Sequence, residues 1–337
     1  MHNTPLVTSN TTNLRTNREV YLKMENQQKT GAFKFRGASY KLMKLSAEEL
    51  SKGVLTASAG NHAQGVALAA AQLGAQATIF MSEATPTNKV EATRGYGAEV
   101  ILVGESFQEA YEASLEYQQE TGATYIHPFD DYDIMAGQGT IAVEMLSQQP
   151  ELDTLIVPIG GGGLISGIAV AAKSINPDIR VIGVQTDRAP SMFNAYHQGV
   201  VERLQNVSTV AEGIAVKEPG QLTLPIINKY VDDVICVSEP EIADAMIYLL
   251  ERSKTLVEGA GAAALACLLS HHDTIDSEKT GVVVSGGNID ISKMPDIQSL
   301  AAELRKEAGL AEKAYDARSG SRVKGGEKER EKSAVLR

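Results

Sequence analysis

The sequence predicts an α/β protein built on parallel sheets covered by helices. Three observations predict it. Short apolar or β-branched runs alternate with longer Ala-rich segments of helical pattern along most of the chain. The runs are apolar throughout rather than at every second position, as parallel strands buried on both faces are. The 337 residues, 43% hydrophobic and 22% charged, are enough for two domains with separate cores.

Taken in order, "VYLKM" (20–24), "VLTAS" (54–58), "ATIFM" (77–81) and "EVILV" (99–103) read as strands. So do "LIVPI" (155–159), "RVIGVQ" (180–185), "DVICVS" (233–238) and "GVVVSG" (281–286). Helical patterns fill 62–73, 105–121, 164–175, 239–252 and 258–270. Met81 and Met145 read as core, and His271 with His272 as a solvated loop pair. The tail 318–337, basic and almost without large apolar residues, reads as disordered.

Composition excludes several classes. A net charge of −11 speaks against general nucleic-acid binding and against an anionic membrane surface. Two cysteines, Cys236 and Cys267, make neither a disulfide framework nor a zinc motif, and fit a reducing cytoplasm. The start "MHNTPLVTSN" lacks the basic and apolar regions of a signal peptide. The most apolar stretch, 65–81, is broken by Gln72 and Gln76 and reads as a buried helix and strand rather than a membrane span.

Four segments carry polar or glycine-rich chemistry at the ends of expected elements. In "KTGAFKFRGA" (29–38), Lys34 stands between Phe33 and Phe35. Such a lysine is either a surface residue on a half-buried element or an amine whose desolvation lowers its pKa and makes it nucleophilic. "LIVPIGGGGLISG" (155–167) is a strand, four glycines and a helix start. Backbone N–H groups and a helix dipole there would hold a phosphate; the alternative is a flexible turn. The spacing is not a dinucleotide fingerprint, since Ile165 stands where Gly160 and Gly162 would need a third glycine. It is not a P-loop either, because Ile168 follows Gly167. "TASAGNHAQG" (56–65) offers Ser58, Gly60, Asn61 and His62 to a carboxylate, or merely caps a helix. "VVVSGGNID" (282–290) places Ser285 at the C-terminal edge of a strand, where open α/β sheets bind ligands.

These four motifs, in this order, resemble the pyridoxal-phosphate enzymes of the tryptophan-synthase β fold type, in the threonine dehydratase and serine racemase branch. The resemblance runs from about Thr4 to Met294. It implies two parallel-sheet domains: a large cofactor-binding domain of 1–52 and 133–317, and a smaller mobile substrate-side domain of 53–132. It implies that Lys34 binds the cofactor covalently and acts as general base, and that Phe33 packs near the pyridine ring. It further implies that Asn61 meets the 3′ oxygen, that Gly160, Gly161, Gly162, Gly163 and Leu164 cup the phosphate, and that Ser285 faces the pyridine nitrogen. Ser58, Gly60, Asn61 and His62 would close on the substrate carboxylate.

The implied reaction is β-elimination of water from L-threonine or L-serine, giving a 2-oxo acid and ammonia. Cysteine synthases usually have Thr where this chain has His62. Serine racemases usually carry a second serine before the loop glycine, where this chain has Ala59. Relatives often hold a cation near an "ADG" segment; here "AEGIA" (211–215) puts Glu212 in that place, so a mono- or divalent cation is an open expectation. The chain shows neither the usual helix before "TPL" nor a long regulatory domain after Met294, which is the pattern of the short catabolic type without isoleucine feedback. The branch implies a homodimer or homotetramer, and a nucleotide effector at a subunit interface. Alternatives are a relative acting on another β-hydroxy amino acid, as serine racemase, 3-hydroxyaspartate dehydratase or hydroxyectoine-degrading enzymes do, or a non-catalytic small-molecule binding protein.

Overall fold

The computed structural model describes residues 1–306 and 309; the tail expected to be disordered, 318–337, lies outside them. Two sheets organise the chain. The larger has six strands: β1 (Leu6–Thr8), β2 (Glu19–Met24), β7 (Thr154–Pro158), β8 (Arg180–Thr186), β9 (Asp233–Val237) and β10 (Lys279–Val284). Their order is β1-β2-β10-β7-β8-β9, all parallel except β1, which runs antiparallel to β2. The smaller sheet has four parallel strands in the order β5-β4-β3-β6: β3 (Val54–Ala57), β4 (Ala77–Met81), β5 (Glu99–Leu102) and β6 (Thr124–Tyr125).

The strands expected from apolar runs are present within one or two residues of the expected ends. The two that gave no signal, β1 and β6, are three and two residues long. Helices cover both faces. On the large sheet, α11 (Glu239–Ser253) and α12 (Gly259–His271) seal one side, with Leu265, Leu268 and Ile242 against Ile182 and Val282. On the other side, α7 (Tyr132–Gln148), α8 (Gly163–Ile175), α9 (Ser191–Gln198) and α10 (Thr223–Tyr230) pack Ile141, Ile168 and Ile227 onto Leu155, Val157 and Val181. The small sheet lies between α4 (Asn61–Gln72) and α5 (Thr87–Gly95) on one face and α6 (Phe107–Thr121) on the other. Helices α1 (Asn10–Thr16) and α3 (Ala47–Ser51) lie further out, and another helix runs through 294–306.

Met81 and Met145 are core, as the sequence suggests. His271 and His272 are not on a free loop. His271 ends α12, half-buried, with Nε2 3.2 Å from Glu241, and the His272 carbonyl accepts from Arg18 at 2.7 Å.

Helix α2 (Lys34–Lys44) joins the two sheets, packing on both α4 and α7. Sequence reading missed α7, whose Gly137 and Gly139 weaken its helical signal. Those glycines serve the packing. A Cβ on Gly137 would lie 2.6 Å from Gly37 Cα, and one on Gly139 would lie 2.7 Å from the Gly167 carbonyl oxygen. Both helix crossings require bare backbone there.

The root of α2 is fixed by charge. Arg36, wholly buried, donates through Nε and Nη2 to both oxygens of buried Glu25 at 2.7 and 2.8 Å. It also donates to both oxygens of Glu144, at 2.7 and 2.8 Å. Lys23, equally buried, donates to Glu144 (2.7 Å), to the Thr4 carbonyl (2.8 Å) and to Gln148 (2.9 Å). Two cations and two anions thus tie β2, α2, α7 and the N-terminal segment together.

Candidate active site

Both sheets reverse their winding where the motifs lie. In the small sheet the chain runs from β3 outward to β4 and β5, then returns to β6 on the other side of β3. In the large sheet it runs outward from β7 to β9, then inserts β10 between β2 and β7. Ligands in open α/β sheets bind beyond the carboxyl ends of strands at such reversals. Ser58–Asn61 follow β3, Gly160–Gly163 follow β7, and Ser285 follows β10.

Lys34 opens α2, and Phe33 is the residue before that helix. The two aromatic flanks have different tasks. Phe35 is wholly buried in the small-sheet core, while Phe33 is half-buried with the Lys34 ammonium 5.2 Å from its ring centroid. The Phe33 N–H donates to the Ser285 carbonyl at 3.1 Å, so the lysine and the end of β10 are joined through backbone. Lys34 Nζ donates to the Pro128 carbonyl at 2.7 Å. Burial pulls its pKa down to about 8, with the Glu258 charge acting the other way. About half of such an amine is neutral at pH 8, against well under 1% of an ordinary lysine.

The glycine loop combines two needs. Gly162 has φ +99°, a left-handed conformation that glycine adopts without strain, and it precedes α8. Gly161 and Gly163 lie against Phe129, whose ring and backbone leave no room for a Cβ. Packing therefore explains part of the glycine run. Leu164, in the first turn of α8, is buried. No side chain caps α8, so its first N–H groups remain free for an anion.

Ser58 and Asn61 do not cap α4, as the simpler reading of that loop would have had them do. Gly60 is the residue before the helix, no side chain caps it, and Ser58 Oγ accepts only the Gly60 N–H, at 3.3 Å. Asn61 spans two groups: its Nδ2 donates to Glu258 at 2.7 Å, and its Oδ1 accepts from Asn288 at 2.8 Å. The amide nitrogen keeps a second proton for a ligand oxygen. His62 is buried and its Nε2 meets the Ile126 carbonyl at 2.9 Å. Burial first, then the Lys34 charge, push its pKa down to about 3. It is a neutral side chain anchoring the segment after β6.

Ser285 is buried and donates to the Ala260 carbonyl at 3.2 Å. Glu212 is paired with Lys89 at 3.1 Å and with Lys293, and its charge reaches Glu258. Its oxygens are neutralised by two ammonium groups, and among the described residues no cluster of three or more His, Cys, Asp or Glu is arranged for a metal.

Sequence reading missed Glu258, which precedes α12. Burial pushes its pKa up to about 7, against the Asn61 hydrogen bond. Sequence reading named Phe129 as a pocket residue but did not place the segment His127–Asp130. There Pro128 meets Lys34, Phe129 covers the glycine loop, and Asp130 accepts the N–H groups of Gln221, Leu222 and Thr223 at 2.9 to 3.2 Å. The signal was the run "HPFDD" (127–131) just beyond an undetected two-residue strand.

An amine of lowered pKa, an uncapped glycine-led helix and a buried hydroxyl together suit a small phosphorylated carbonyl compound. The comparisons agree with that chemistry. The chain is 51% identical over 292 residues to an L-threonine ammonia-lyase of Thermotoga maritima, covering 87% of this chain and 73% of that one. Among solved structures, a processed threonine deaminase isoform from Solanum lycopersicum superposes with a TM-score of 0.86 at 38% identity, covering 89% of this chain and 84% of that one. A maize serine racemase superposes with a TM-score of 0.84 at 40% identity, covering 91% and 94%. Residues 1–286 match the family model for pyridoxal-phosphate dependent enzymes, and the chain belongs to that family.

Proposed function

We propose that the chain is a pyridoxal-phosphate-dependent L-threonine ammonia-lyase, acting also on L-serine and releasing a 2-oxo acid and ammonia by elimination of the β-hydroxyl. The observation that carries this is Lys34: an amine of lowered pKa at the start of an uncapped helix, beside a glycine loop that opens a second uncapped helix. The bound cofactor supplies an electron sink for the substrate's α-carbanion. Lys34 is its anchor and the base that takes the α-proton. Gly160–Leu164 would hold the phosphate through backbone N–H groups, Phe33 would pack near the ring, and Ser285 would turn its hydroxyl from the Ala260 carbonyl to the ring nitrogen. Asn61 offers its second amide proton to the ring oxygen. Ser58, Gly60 and Asn61 hold the substrate carboxylate at the open end of α4; His62 supports them from below.

Ala59 favours elimination over racemisation. Racemisation needs an acid on the face opposite Lys34, and a methyl group donates no proton. His62, the nearest titratable alternative in the loop, stays neutral with Nε2 engaged by Ile126. The maize serine racemase match supports a second reading, because its 40% identity exceeds the 38% of the Solanum lycopersicum threonine deaminase. Incubation with L-threonine and L-serine, following 2-oxo acids and chiral amino acids, separates the two. Pyruvate without D-serine is expected; D-serine at a comparable rate would reverse the assignment. The short catabolic type, a homodimer or homotetramer, a cytoplasmic place and a nucleotide effector at a subunit interface belong to the same proposal. The free thiols of Cys236 and Cys267 support the cytoplasmic part. Among the described residues no helix is long and apolar enough to cross a membrane.

A further inference from the structure

His127 has its proton placed by its own backbone. Its Nδ1 accepts the N–H of Phe129 at 3.2 Å and that of Asp130 at 2.7 Å. An accepting Nδ1 carries no hydrogen, so the neutral ring has its hydrogen on Nε2. Burial lowers the pKa, and the Lys34 charge adds to that against the pull of Asp130 and Asp131, so the ring stays neutral near pH 7. The ring plane is set by Phe129, edge-on at 4.7 Å, and by Tyr125 at 6.5 Å. Among the described residues the Nε2–H has no hydrogen-bond partner, and it is not one of the sealed-in orphan atoms.

Its place in the fold says what that donor meets. His127 follows β6, which pairs with β3, and β3 leads into the Ser58–Asn61 loop. The next residue, Pro128, accepts the Lys34 amine, and Phe129 covers the glycine loop. His127 therefore lies near both the loop assigned to the substrate carboxylate and the amine assigned to the α-proton, close enough that it acts on the His62 charge and the Lys34 charge acts on it. With the carboxylate of a β-hydroxy amino acid held by the loop and its α-amine committed to the carbonyl of the cofactor, the remaining polar atom is the β-oxygen.

We propose that His127 is a specificity-determining residue whose Nε2–H donates to the β-hydroxyl oxygen of the substrate. This rests on the ammonia-lyase reading of the site and extends it. A neutral imidazole is a poor proton source for a departing hydroxide, so the contact orients the C–O bond and selects for oxygen at the β-carbon.

The test uses the holoenzyme and two isosteric variants. In His127→Asn, the amide oxygen replaces Nδ1 as acceptor of the two backbone N–H groups, and the Nε2 donor is gone. In His127→Gln, an amide nitrogen can stand near the Nε2 position. Values of kcat/KM are compared for L-threonine, L-serine and β-chloro-L-alanine, whose leaving group is a weak hydrogen-bond acceptor. His127→Asn is expected to lose about tenfold or more on the two hydroxy substrates, with β-chloro-L-alanine changed far less and the cofactor absorbance unaltered. His127→Gln is expected to recover part of the loss. The ratio between substrates cancels any loss of folded protein. Equal losses on all three substrates, or no loss on any, would overturn the role. Wild-type enzyme inactive on L-threonine and L-serine would instead strike the ammonia-lyase reading.

Discussion

Four helices that begin at the cleft and three that begin on the outer surface are built differently at their first turn. On the outside, Ser9 caps α1, Ser46 caps α3 in a reciprocal box with Glu49, and Ser106 caps α6. At the cleft, α2, α4, α8 and α12 begin at Phe33, Gly60, Gly162 and Glu258, and no side chain caps any of them. An absent cap alone is not diagnostic, since α5 and α9 begin after Pro86 and Pro190. The convergence is what differs: the open start of α2 is Lys34 itself, those of α4 and α8 carry two other motifs of the cleft, and that of α12 carries Glu258, the partner of Asn61. The outer N–H groups are satisfied within the chain and contribute stability. Those of the cleft are left for a ligand, and the chain forgoes that stability.

That contrast can be broken most decisively at Lys34. Lys34→Ala should abolish turnover while circular dichroism and thermal midpoint stay near wild type; turnover without added amine would remove the lysine from the chemistry. The same residue gives a pH test. Its pKa is lowered to about 8, so the reactive neutral amine predominates above that value and is lost below it. Cofactor reloading of the apoenzyme should therefore quicken as pH rises through about 8 and then level; a rise continuing to the ordinary lysine range, roughly 10.4, would deny the shift.

Next in size is the ion cluster that holds uncapped α2. Arg36→Met leaves Glu25 buried without its partner and should cost about 3–5 kcal/mol in urea unfolding. A loss under about 1 kcal/mol would mean that the α2 root is held otherwise. A smaller effect comes from giving the cleft what the surface has. A Cβ at Gly60 meets nothing within 4 Å, so Gly60→Asp can add a cap to α4. It should change stability by only a few tenths of a kcal/mol. Its carboxylate would compete for the anion site, raising KM about tenfold or more, roughly 1.4 kcal/mol. An unchanged KM would show that the substrate carboxylate binds elsewhere. The smallest effect is the converse: Ser106→Ala should cost about 1 kcal/mol with kcat and KM unaltered. A change in kinetics there would blur the division.

Much of this architecture is legible in the chain. Apolar runs locate the longer strands because burial on both faces leaves a continuous signal. β6 is too short to leave one, yet it carries His127 to the cleft. α7 was hidden because Gly137 and Gly139 answer to neighbouring backbones rather than to helix propensity. In the site, Asn61, the glycine loop and Ser285 stand out as residue types at strand ends, and Lys34 by its aromatic flanks. Glu258 did not, since a glutamate before a helix usually reads as a solvated charge. Only contact with Asn61 and burial show it as part of the cleft.

The sequence by itself determined the alternation of strand and helix, the parallel sheets, the motifs proposed to face a phosphorylated cofactor, and Ala59 at the position proposed for a proton donor. These are local properties of residue type and spacing. Tertiary structure decided which motifs meet, and in what electrical state. Two sheets reverse their winding beside one another, and burial moves Lys34 toward neutrality, keeps His62 neutral and lifts Glu258. The His127 proton is placed by N–H groups two and three residues ahead, but the place of the ring in the fold depends on β6 pairing with β3. Desolvation and long-range pairing are properties of the folded surroundings, and residue types along the chain do not specify them one position at a time.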